Sequence, residues 1–149
     1  MTFTTEYPTE VSVAVSPGIA TVMQNGTVTL TATVTGTSNA AVSWAITSGG
    51  GTLSGANGNA VTYTAPATPG ALAVVTATSQ ADATKSCSIS IAIKTRDFNG
   101  DGITDVLDLA SLARAFGATP GSPNWDPVAD LNGDGVVDEA DLTIFLAGL

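Results

Sequence analysis

Histidine is absent from this sequence, and cysteine occurs once. Those two scarcities exclude a zinc site of the usual Cys/His kind, a disulfide within the chain and any catalytic device built on an imidazole base. Basic residues are also few: Lys85, Lys94, Arg96 and Arg114 face 13 acidic groups, for a formal net charge of −9. Such a chain repels nucleic acid and anionic membrane surfaces. Aromatics make up 5% and charged residues 11%, so the core must be aliphatic and much of the surface uncharged but polar. No apolar run approaches the roughly 20 residues needed to span a bilayer. No signal peptide is visible, and a mature form or an expressed fragment behind a start Met is the expectation.

The charge that is present is unevenly placed. Residues 1–94 carry Glu6, Glu10 and Asp82 against Lys85 and Lys94, a balance of −1. Residues 95–149 carry ten acidic groups against Arg96 and Arg114, a balance of −8. Hydrophobic patterning changes at the same place. Before it, short runs alternate strictly: Val11, Val13 and Val15; Val28, Leu30, Ala32 and Val34 between Thr27, Thr29, Thr31 and Thr33; Val42, Trp44 and Ile46; Val61 and Tyr63; Cys87, Ile89, Ile91 and Ile93. "ALAVVTATS" is a further strand whose inward face the pattern leaves open. Period two with Thr and Ser on the other side is the mark of half-buried antiparallel strands. Asn25-Gly26, Gly49-Gly50-Gly51, Asn57-Gly58 and Pro69-Gly70 supply the turns. Six or seven such strands predict a β-sandwich over residues 1–94. Cys87 is expected to be a small buried hydrophobe and Trp44 a core residue. Asn25-Gly26-Thr27 also fits the glycosylation acceptor triplet, a pattern common by chance.

From residue 95 the period becomes helical. Leu109, Leu112, Ala113 and Phe116 follow Asp108; Leu142, Phe145, Leu146 and Leu149 follow Asp141. Both sets run i, i+3, i+4, i+7, and the second is the first shifted by 33 positions. The two stripes are expected to pack on each other. Gly117 closes the first helix, and Trp125 in the Pro-rich "TPGSPNWDPVA" connection is expected to cover the small shared core.

Ahead of each helix stands an acidic loop, "DFNGDGITDVLD" and then "DLNGDGVVDEAD". Calcium takes six to eight oxygen ligands, which a twelve-residue loop supplies from positions 1, 3, 5, 7, 9 and 12 with Gly at position 6. The spacing predicts two Ca²⁺ sites. The first uses Asp97, Asn99, Asp101, the carbonyl of Ile103, Asp105 through a water, and Asp108. The second uses Asp130, Asn132, Asp134, the carbonyl of Val136, Asp138 and Asp141. Gly102 and Gly135 occupy the turn positions. Four carboxylates within each loop repel one another, so folding of this region is expected to depend on the metal.

Two resemblances follow from these residues. The stretch "VSVAVSP…GTVTLTATVTGTSNAAVSWAI…VTYTAP…VTATSQADATKS" resembles bacterial immunoglobulin-like domains, which implies a spacer or adhesive unit without a catalytic site. Residues 97–149, with Asp rather than Glu at loop position 12 and no incoming helices, resemble a dockerin domain. The fold expected is therefore mainly β plus small α, an immunoglobulin-like β-sandwich over 1–94 followed by a dockerin-like unit over 95–149. The dockerin resemblance implies a cohesin-type protein partner. By that resemblance the contacts lie at loop positions 10 and 11 and on the helix beyond, here Val106, Leu107 and Arg114, with Glu139 and Ala140 equivalent to the first two in the second copy. The Ser-Thr pair common at those positions in the family is absent from both copies, and the second helix stops at Leu149, so the first repeat is expected to make most of the contact. Calcium as structural glue without a partner is the plainer reading of the same loops.

The function expected is a non-catalytic, extracellular or cell-surface assembly module. No nucleophile–base pair is visible, and eight of the 13 carboxylates are candidate calcium ligands. The competing expectation is a subunit of a self-assembling filament, in which the Thr-rich segment "TFTTEYPTEV" adds to a sheet edge of a second copy.

Overall fold

A computed structural model of the protein describes residues 10–67 and 72–149. Most of the leading Thr-rich segment and the Pro69-Gly70 turn lie outside the described residues. Among those described, eight strands and two helices follow in order. They are β1 (Ser12–Ser16), β2 (Ile19–Met23), β3 (Thr27–Thr35), β4 (Val42–Ser48), β5 (Thr52–Asn57), β6 (Ala60–Thr64), β7 (Leu72–Ser79), β8 (Ser86–Lys94), α1 (Val106–Ala115) and α2 (Glu139–Leu146). The strands form two four-stranded sheets, ordered β1-β3-β6-β5 and β2-β8-β7-β4. Every pairing is antiparallel except that of β2 with β8, where Ala20 lies beside Ile91 and Val22 beside Ile93.

The alternation does what half-buried strands require. In β3, Leu30, Ala32 and Val34 are buried while Thr27, Thr29, Thr31, Thr33 and Thr35 are exposed. The two sheets share a core of Leu30, Val61 and Tyr63 from one and Ala20, Val22, Ala73, Val75, Ile89, Ile91 and Ile93 from the other. The inward face of β7, open in the sequence, is Ala73, Val75, Ala77 and Ser79. Trp44 is partly buried where this core meets a second cluster around Ala32, Val34, Val42 and Ala77, and its indole N–H has no acceptor among the described residues. Cys87, expected to be buried, is a free thiol and only half-buried.

The strand count exceeds the six or seven expected, because β2 and β5 carry no alternation signal. On β2 the outer residues Ile19 and Met23 are as apolar as the inner Ala20 and Val22. On β5 the lone large apolar residue is Leu53, and the ladder is irregular between Ser54 and Asn57. Gly51, just before β5, has φ +96, and a Cβ there would come within 2.5 Å of Thr64 O and 2.7 Å of the Tyr63 ring and hydroxyl. That hydroxyl donates to Gly50 O at 3.0 Å. Gly51→Ala therefore combines a left-handed backbone with overpacking against a fully buried ring. We expect it to lower the stability of the two-sheet unit by about 2–4 kcal/mol, read as a lower thermal midpoint for the strand signal.

The helices bury a different stripe from the one expected. Leu112, Ala115 and Phe145 are buried and Leu109 and Leu142 half-buried, but Ala113, Phe116, Leu146 and Leu149 are exposed. Helix phase is set by the last loop residue. Asp108 and Asp141 turn inward, each fully buried, and Leu112, Ala115 and Phe145 follow them at i+4 or i+7. Phe116 has already left the helix, with ψ 131. Both helices do share one core, completed by Ala129, Leu131 and Val137, with Phe98, Trp125 and Met23 packed against it. Phe98 of the first loop stacks on Phe145 of α2, ring centroids 5.8 Å apart.

Candidate functional site

Each acidic loop folds around its own carboxylates. Asp97 accepts the N–H of Gly100 through Oδ1 at 2.7 Å and that of Gly102 through Oδ2 at 2.9 Å. Asn99 Oδ1 accepts from Asp101 N at 3.0 Å, and Asp101 Oδ1 from Ile103 N at 2.8 Å. Gly100 and Gly102 have φ +77 and +88, the left-handed geometry that bends main-chain N–H groups toward one centre. Asp105 caps α1 by accepting from Leu107 N at 2.8 Å. Asp108 returns the capping box, with Oδ2 accepting from Asp105 N at 2.9 Å. Its Oδ1 accepts from Phe98 N at 2.8 Å and Asn99 N at 3.2 Å.

The second loop repeats this bond for bond. Asp130 holds Gly133 N and Gly135 N, Asn132 holds Asp134 N, and Asp134 holds Val136 N. Asp138 caps α2 through Ala140 N. Asp141 accepts from Leu131, Asn132 and Asp138. The duplication seen in the sequence is thus a duplication of geometry.

These oxygens are hard donors, and the loops hold them inward at both ends. Burial pushes the Asp108 carboxyl up, but the main-chain N–H groups of Asp105, Asn99 and Phe98 outweigh it and hold the group below its usual range. Hydrogen bonds satisfy the lone pairs; they do not cancel the charge. Among the described residues the ion pair is Lys85 with Glu10, away from both loops, so none of the eight loop carboxylates has a cationic side chain against it. A buried carboxylate without a countercharge is costly, and a hard divalent cation is the partner this donor set fits. Among the described residues no three acidic or thiol groups stand together as a ready-made cluster. The ligand set predicted from the spacing also draws on the Asn99 and Asn132 amides and the carbonyls of Ile103 and Val136. In this structure those amide nitrogens donate to Asp101 and Asp134 at 2.9 and 2.8 Å.

The side chains expected to meet a partner lie outside. Val106 is 70% and Leu107 59% exposed, and Arg114 is exposed on the same helix. Ile103, whose carbonyl was singled out, also exposes its side chain, a contribution to the apolar surface that ligand counting overlooked. Glu139 and Ala140 are exposed at the start of α2. Sequence reasoning missed the role of loop position 2: Phe98 and Leu131 are the anchors that tie the loops into the shared core, and their apolar character in an acidic stretch was the available signal.

Residues 95–146 match the Dockerin type I domain, a class that binds calcium and docks onto cohesins. The match begins directly after β8 ends at Lys94. No curated protein matches the chain.

Proposed function

We propose that the chain is a non-catalytic assembly module of the extracellular space or cell surface. Residues 95–149 bind two Ca²⁺ through the twelve positions named above and present the first turn of α1 to a cohesin-type protein. Residues 1–94, an immunoglobulin-like spacer by their sequence resemblance, hold that unit out. The observation that carries this reading is the division of each loop into two faces. The closing carboxylates Asp108 and Asp141 are buried and gather main-chain N–H groups from both ends of their loops, while Val106 and Leu107, the residues directly after the N-cap, stand exposed on the outside. An apolar pair fixed in place by a metal loop, with Arg114 two turns on, is a fitting hot spot for a protein partner.

The test is binding of the calcium-loaded chain to a cohesin, followed by isothermal titration. Leu107→Ala, which adds no charge to the metal loop, should weaken it by about 30-fold or more, the scale of a hot-spot residue, with both loops still taking up calcium. Binding that survives both Leu107→Ala and Val106→Ala unchanged would remove α1 from the interface. Light scattering of the calcium-loaded chain should show a stable monomer, and long polymers of the pure chain would favour a filament subunit instead.

A further inference from the structure

The two loops match internally but differ in what surrounds them. Gly133, the fourth residue of the second loop, lies against β2: a Cβ there would come 3.0 Å from Thr21 Oγ1. Gly100, its equivalent in the first loop, would meet nothing within 4 Å. Two residues along β2, Met23 packs against the helical core rather than its own sheet's. Lys94 Nζ at the end of β8 donates to Pro127 O at 2.6 Å, in the segment leading to the second loop. Between them the chain junction is tied down, with Gln24 N donating to Lys94 O at 2.9 Å and the buried Thr95 donating to Gln24 Oε1 at 3.2 Å.

Building on the calcium reading above, we propose that the second loop is the joint of the molecule. Its calcium uptake and the seating of the helical unit on β2 are one coupled step, while the exposed face of α1 remains open to a partner. Ordering the second loop fixes the Gly133 backbone, which lies against Thr21, and the Leu131 and Val137 side chains, which belong to the core that Met23 packs against. By reciprocity, anything that keeps β2 from seating must lower the calcium affinity of that loop, and the first loop, which meets this core through Phe98 but has no strand residue within 4 Å of a Cβ at Gly100, should feel it less. The two-sheet unit thereby does more than hold its neighbour at a distance: it selects which of two nearly identical loops is the tighter.

Two substitutions on β2, Met23→Ser and Thr21→Tyr, test this outside the metal loops. Calcium is titrated into the full chain while the backbone amides of Gly102 and Gly135 are followed by NMR, one reporter for each loop. The variants should weaken uptake at the Gly135 loop by about 5- to 10-fold, the lower range of coupling between sites, and leave the Gly102 loop within about twofold. Equal weakening of both loops, or of neither, in variants whose strand signal is intact would overturn the joint while leaving the calcium sites standing. No calcium response at either amide in the unsubstituted chain would overturn the calcium reading itself, and the joint with it.

Discussion

Exhaustive chelation of calcium from the full chain is expected to abolish its helical circular-dichroism signal while the strand signal persists. The helical unit carries ten acidic groups against two arginines, and it buries Asp108 and Asp141 completely. Neither arginine relieves that imbalance: Arg96 Nε donates to Ile144 O at 2.8 Å at the far end of α2, and Arg114 is exposed. A ligand that binds only the folded state stabilises by about 4 kcal/mol at a thousandfold excess over its dissociation constant. A unit of this size has only a few kcal/mol in total, so removal of the ion decides whether it folds. The two-sheet unit has its own core and keeps its strands. Asp101→Ala combined with Asp134→Ala should reproduce the chelated state at saturating calcium. An unchanged helical signal after complete removal of the metal would show that the backbone N–H cages alone sustain the loops.

What could be read in advance depended on how local each feature is. A calcium loop places its donors within twelve residues, so the spacing of Asp97 to Asp108 and its repetition at Asp130 to Asp141 was visible without any tertiary information. The threonine-faced strands were legible for the same reason, since β3 states its inward face residue by residue. Strand β2 was not, because it is a sheet edge whose outer face turns apolar where it meets the second unit: Met23 is outward for its own sheet and inward for the helical core. The helix phase departs from the spacing of the hydrophobic residues because a buried polar residue heads each stripe. The first buried position of each stripe is a carboxylate, and only the capping geometry shows that Asp108 and Asp141 point inward. The unequal surroundings of Gly100 and Gly133 lie beyond any sequence pattern, since the two loops are nearly identical and the difference is supplied by a strand more than a hundred residues earlier.

Phe145→Ala should be the most damaging single substitution in the helical unit. Phe145 is fully buried, it stacks on Phe98 of the opposite repeat, and it is the largest buried side chain of that core. Truncating a buried Phe costs about 3–5 kcal/mol through lost transfer energy and an unfilled cavity. The neighbours cannot collapse into the gap easily. Leu131 and Leu112 are held by the second loop and α1, and Phe98 is tethered through its own N–H to Asp108 at 2.8 Å. A loss of this size meets or exceeds what a unit of some fifty residues can spare. The expected result is a chain whose strands melt as before but whose helical signal is absent at a calcium level that saturates the unsubstituted protein, and returns in part as calcium is raised. Phe98→Ala removes the other half of the stack from a half-buried position and should cost less. If the two substitutions prove equal, the stacked pair rather than the buried volume of Phe145 carries the energy of this core, and a double substitution should then cost little more than either alone.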